Sequence, residues 1–178
     1  MSNSLHAVET RWGEQTTASG EINIVVHRRA EDDNIGILGF SVTDNGIGLT
    51  AENWTSFLTS DSPLKSSKGG KGVGRLGWLK AFSDCQIISR FEDADGIMLR
   101  QFSFALRKGK NPIHGYKLTK EAGPGAIGTE VRLVPYQTQF EAYCPKKATT
   151  IAAKLVGHFL NYFVVGKLPR MTLTDSWG

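Results

Sequence analysis

Val42-Thr43-Asp44-Asn45-Gly46-Ile47-Gly48-Leu49 carries an apolar strand into a single acidic residue, followed by glycines at 46 and 48. This order predicts an adenine-binding corner. A carboxylate at the end of a buried strand accepts a hydrogen bond from the exocyclic amine of adenine, whereas guanine presents a carbonyl there and is repelled. Gly46 and Gly48 leave out Cβ atoms where the chain turns sharply and a flat ring comes close to the backbone. Asn45-Gly46 is also the commonest signal for a tight hairpin turn, so the segment needs support from elsewhere in the chain.

Two further signals follow in order: the glycine cluster Gly69-Gly70-Lys71-Gly72-Val73-Gly74 and the run Gly128-Thr129-Glu130-Val131-Arg132-Leu133. With them the chain resembles, over nearly its whole length, the ATP-binding domain shared by gyrase B, the heat-shock-ninety chaperones, sensor histidine kinases and the MutL mismatch-repair proteins, the GHKL or Bergerat fold. Asp44, Gly46 and Gly48 stand where that family has Asp-x-Gly-x-Gly. Gly69, Gly72 and Gly74 fit its Gly-x-x-Gly-x-Gly, and Gly128-Thr129 fits its late Gly-Thr. The segment from Gly74 to Phe82 looks most like the bacterial stand-alone, heat-shock-ninety-like members. The resemblance implies one domain over residues 1–178, an α/β two-layer sandwich with a mixed, mostly antiparallel sheet on one side and helices enclosing ATP on the other.

The resemblance also implies a site. Asp44, Gly46 and Gly48 take adenine, and Thr129 shares a water or a direct hydrogen bond with Asp44 and the base. Lys68, Gly69, Gly70, Lys71, Gly72, Val73 and Gly74 surround the triphosphate, with backbone N–H groups at a helix start aimed at it and Lys65 and Arg75 as further cations. Asn3 is the implied Mg²⁺ ligand, its side-chain oxygen suiting a hard cation whose shell phosphate and water complete. Asn3 opens Asn3-Ser4-Leu5-His6-Ala7, the second half of the family's first motif, with His6 where the family has Asp.

That motif begins with a glutamate four residues before its Asn, which here falls ahead of Met1. The chain is therefore expected to lack the first part of its N-terminal helix and, with it, the general base that activates water. Glu9 and Glu14 lie beyond Asn3 and project one or more turns away on a helix, so no catalytic residue is assigned. Mg-ATP binding is the expected function, and hydrolysis is expected at or near background. The alternatives are a non-hydrolysing, ATP-dependent switch or dimerisation module and, less well supported, the catalytic domain of a sensor kinase. Partners beyond ATP would be a nucleotide-dependent second copy or a client protein.

Other readings of the glycines fail. Gly72-Val73-Gly74-Arg75-Leu76-Gly77 satisfies the dinucleotide-binding pattern, yet polar residues 60–71 precede it instead of a buried strand. No Gly-Lys-Ser/Thr string of the Walker type occurs, and the protein-kinase strings Asp-Phe-Gly and His-Arg-Asp are absent.

The 178 residues are 40% hydrophobic and 21% charged, ordinary for one globular domain. Cys85 and Cys144 lie far apart and form no Cys-x-x-Cys, which argues against a metal site or a disulfide framework. No apolar run reaches the ~18 residues needed to cross a bilayer, and the polar start lacks a signal-peptide pattern, so a cytoplasmic protein is expected. The net charge of +4 suits polyphosphate; it neither demands nucleic acid nor excludes it.

Periodicity predicts the end of a helix over residues 2–12, strands over 21–28 and 35–43, and a helix over 51–58 capped by Thr50. Residues 59–71, rich in Ser, Lys and Gly, form a candidate lid. A helix over 72–82 is followed by strands over 86–91, 97–106, 113–118 and 130–135. A core-facing helix over 148–164 carries Ile151, Leu155, Phe159 and Phe163, and a strand begins at Met171.

Overall fold

The computed structural model describes residues 1–29, 36–59, 74–106, 111–123, 125–141 and 143–176, with the side chains of 74–76 outside the description. The chain begins with α1 (Ser2–Trp12), a 3-10 turn and α2 (Thr16–Ser19), then β1 (Glu21–Arg28) and β2 (Ile37–Asp44). Next come α3 (Ala51–Leu58), α4 (Gly74–Ala81), β3 (Cys85–Asp93), β4 (Gly96–Phe104), β5 (Ile113–Lys120) and β6 (Gly128–Leu133). The last elements are α5 (Thr138–Glu141), α6 (Ala148–His158), α7 (Leu160–Val164) and β7 (Arg170–Asp175).

Seven strands form one sheet in the order β5-β4-β3-β6-β2-β1-β7. All pairs are antiparallel except β1 with β7, so the sheet is mixed and mostly antiparallel, as expected. Strand side chains alternate between faces. Ile22, Ile24 and Val26 of β1 therefore join Val42, Leu133, Ile87 and Phe102 on one buried face, under the helices. Asn23, Thr43, Gln86 and Arg132 stand exposed on the other. This is a two-layer α/β sandwich.

The helix layer covers the sheet in separate clusters. Leu5 and Val8 of α1 meet Ile22, Ile24, Val42 and Phe159. Phe57 of α3 and Leu79 of α4 meet Ile87, Phe102 and Phe104 some strands away. The gap between α1 and the α3/α4 pair is where the site lies.

The helix expected over 148–164 is broken. Phe159 leaves helical geometry at φ −104° and ψ 18°, directly after Gly157 and His158, whose weak helix preference makes the bend inexpensive. The bend keeps the Phe159 ring buried under α1, while Phe163, expected on the core side, stands 46% exposed. Both cysteines are free. Burial, with the Asp84 carboxylate nearby, pushes the Cys85 thiol up to about 12, and it behaves as a small apolar core residue. No helix among the described residues is long and apolar enough to cross a membrane.

Candidate functional site

At one end of the sheet a row of inward-facing positions breaks the apolar alternation. Arg100 on β4 pairs across to Ser89 on β3, Ser89 to Thr129 on β6, and Thr129 to Asp44 on β2. Asp44, Ser89 and Arg100 are 6%, 0% and 3% exposed, so this is a polar seam built into the core. Buried polar groups of this kind persist only where they are hydrogen-bonded.

Asp44 is satisfied from its surroundings. The Gly46 N–H donates to its Oδ1 at 3.1 Å, and the Ser4 hydroxyl and the Thr129 N–H also hydrogen-bond to the carboxylate. Burial nevertheless holds its pKa above the ordinary carboxylate value, because the hydrogen bonds offset only part of the lost solvation. A carboxylate accepts about four hydrogen bonds, which leaves a place for one more donor. The Thr129 hydroxyl shares a 2.8 Å hydrogen bond with Ser89 Oγ.

The loop after Asp44 is gripped from both layers. From the sheet, Ser89 Oγ accepts from the Leu49 N–H at 2.7 Å, while Arg100 Nη1 donates to the Leu49 carbonyl and, at 2.9 Å, to that of Thr50. The Arg100 guanidinium lies between Phe91 and Trp54, 4.7 and 5.1 Å from their ring centres. No carboxylate pairs with it among the described residues. From the helix layer, the Ala7 carbonyl accepts from the Ile47 N–H at 3.1 Å. Gly46 lies so close that a Cβ there would sit 2.6 Å from the Ala7 carbonyl carbon. Gly48 adopts φ +74°, and a Cβ would meet the Arg90 carbonyl oxygen at 2.2 Å. Beyond the loop, Thr50 Oγ1 accepts from the Asn53 N–H at 3.3 Å and caps α3, as predicted.

These elements enclose a cavity of about 420 Å³, a volume usual for small-molecule sites. Its polar part is lined by Asn3, Ser4, His6 and Thr10 of α1, by Asp44 and Thr129, and by Glu52 and Asn53 of α3. Its apolar part is lined by Leu49, Phe57, Trp78, Ile87, Phe102 and Val131. A flat ring with one amine edge finds an apolar slot there with a carboxylate at its end.

Of the residues expected in the site, Asn3, Asp44, Gly48 and Thr129 line this cavity, and Gly46 lies behind the wall against α1. Gly74 begins α4. Lys68, Gly69, Gly70, Lys71, Gly72 and Val73 lie outside the described residues, as does nearly all of the expected lid, with Thr59 the described end of that range. Sequence reading missed the roles of Ser4, Ser89 and Arg100. Their signal was present: Ser89 and Arg100 each interrupt a run of inward apolar residues at every second position.

The chain is similar to the ATPase region of Saccharomyces cerevisiae topoisomerase II. The match has 16% identity, covers 75% of this chain and 36% of that one, and has a TM-score of 0.49. The same region bound to ICRF-187 (dexrazoxane) matches at 15% identity, over 74% and 35% of the two chains, with a TM-score of 0.46. The chain thus spans about a third of the length of these structures. No family model and no curated protein matches it.

Proposed function

We propose that this chain binds Mg-ATP as the nucleotide-binding domain of a GHKL-type ATPase. The observation that carries the reading is the buried Asp44 carboxylate, ordered by Ser4, Gly46 and Thr129 at the end of a slot lined by Leu49, Ile87 and Val131. Such a group selects a base with an amine edge.

Asn3 is the residue for the metal. It is exposed and shares the cavity wall with Asp44, and a carboxamide oxygen is a fitting ligand for Mg²⁺ when phosphate oxygens supply the rest of the shell. Calorimetric titration tests this: ATP binds with one site per chain, Mg²⁺ strengthens binding, and Asn3→Ala removes the Mg²⁺ increment while leaving metal-free binding in place. Absence of ATP binding to the unaltered chain overturns the proposal.

Phosphate release separates an ATPase from a switch that binds without turnover. Release by the unaltered chain that Asp44→Asn abolishes identifies an ATPase; saturable binding with release at background identifies the switch or dimerisation module. The first outcome also requires a water-activating group, for which the described carboxylates of the cavity offer only Asp44 and Glu52.

A further inference from the structure

Arg11 belongs to none of the glycine motifs and does not line the cavity. It stands in the last turn of α1, where a basic residue is ordinarily a solvated partner for the helix end. Here its Nη1 instead donates to the Asn45 and Ile127 carbonyls, each at 2.9 Å, with the Gly46 carbonyl at 3.5 Å. Its guanidinium rests on the ring of Trp12, 4.7 Å from the centre. Trp12 Nε1 donates to the same Asn45 carbonyl at 3.1 Å.

The placement of those carbonyls is the point. Asn45 follows Asp44 at the end of β2, and Ile127 precedes Gly128-Thr129 at the start of the antiparallel β6, so one guanidinium joins the exit of one strand to the entry of its neighbour, where the Asp44 carboxylate is ordered. Asn45 is fixed on its other side as well, accepting from the Glu21 N–H at 2.8 Å and donating to the Ser19 carbonyl at 2.8 Å. Within this frame Arg11 ties the 127 segment, the 45–46 segment and α1 together. Charged donors of this kind are the stronger hydrogen bonds, and without Arg11 the Ile127 carbonyl loses its donor while that of Asn45 keeps only Trp12 Nε1.

We propose that Arg11 is a positioning residue for base discrimination, holding the Asp44 and Thr129 strand ends at the separation that admits adenine and rejects guanine. The inference rests on the ATP-binding reading above. Its test is the ratio of ATP to GTP affinity, a quantity that a general loss of stability does not change. Arg11→Met keeps the aliphatic stem and lowers the ratio about tenfold, the size expected from losing a charge-assisted contact. Arg11→Lys, with a point charge able to reach one carbonyl, restores part of it. Trp12→Phe removes the Nε1 donor and leaves a smaller ring under the guanidinium, shifts the ratio in the same direction by less, and keeps the test available if Arg11→Met does not fold. A lower melting temperature with an unchanged ratio in Arg11→Met, or in Trp12→Phe where Arg11→Met does not fold, overturns the inference alone. An unaltered chain that binds no adenine nucleotide overturns the reading beneath it.

Discussion

Asp44→Asn lowers ATP affinity by at least about tenfold and up to about a hundredfold, corresponding to roughly 1.5 to 3 kcal/mol for a charge-assisted hydrogen bond. Rotating the amide does not rescue it. With its oxygen toward the ligand, the amide NH2 faces the Gly46 N–H, a donor that lies 3.1 Å from the carboxylate oxygen in the unaltered chain. With its oxygen toward Gly46, the NH2 meets the amine of adenine. The folded chain is expected to lose little. Because burial raises the pKa of Asp44, the ionised group costs stability above that pKa, and the cost fades as pH falls through it. Asn removes that cost at neutral pH but accepts fewer of the hydrogen bonds from Ser4, Gly46 and Thr129, so the two effects oppose and the melting temperature changes little while binding collapses. Equal ATP and GTP affinities in the unaltered chain, or full ATP affinity in Asp44→Asn, would show that the carboxylate does not read the base.

Arg100→Ala destabilises the fold by about 3 to 5 kcal/mol, which for a domain of this size corresponds to a drop of roughly 10 °C in melting temperature. The change leaves a cavity between Phe91 and Trp54 and strips the donor from the Leu49 and Thr50 carbonyls. One opposing effect is relieved. A guanidinium 3% exposed, whose Nε has no partner among the described residues, is itself expensive to bury. Arg100→Met separates these contributions, since it fills most of the space and removes both the charge and the donors. Its cost is smaller, about 1 to 3 kcal/mol, and comes mainly from the two carbonyls. Melting of Arg100→Ala within a degree or two of the unaltered chain would mean that the grip on residues 49–50 contributes nothing.

Much of this arrangement is legible from local pattern. The alternation of Ile22, Ile24 and Val26 marks β1, and Thr50 followed by Glu52 marks the start of α3, because each signal is complete within a few residues. Asp44 is legible for the same reason, with its glycines beside it. Ser89 and Arg100 stand out locally as polar breaks in an apolar alternation, but their joint role comes from register, since nothing near either residue says that they become neighbours of each other and of Thr129. Arg11 is harder still: it looks like any cation in a last helical turn until the fold brings Ile127 to it. The bend at Phe159 was hidden because Leu160 and Phe163 continue the apolar spacing past the point where the backbone turns.

The parallel pairing of β1 with β7 sets a timetable for synthesis. Glu21 and Arg170 meet across 149 positions of chain, and the buried Arg28 reaches Asp175 at 2.7 Å at the far end of the same pair. At translation rates of roughly 5 to 20 residues per second, β1 leaves the ribosome roughly 7 to 30 s before the strand that covers its edge. Throughout that interval its outer N–H and C=O groups, flanked by Ile22, Ile24 and Val26, are an open template for the wrong strand. The nascent chain is thus most vulnerable to mispairing at the edge it makes first and closes last.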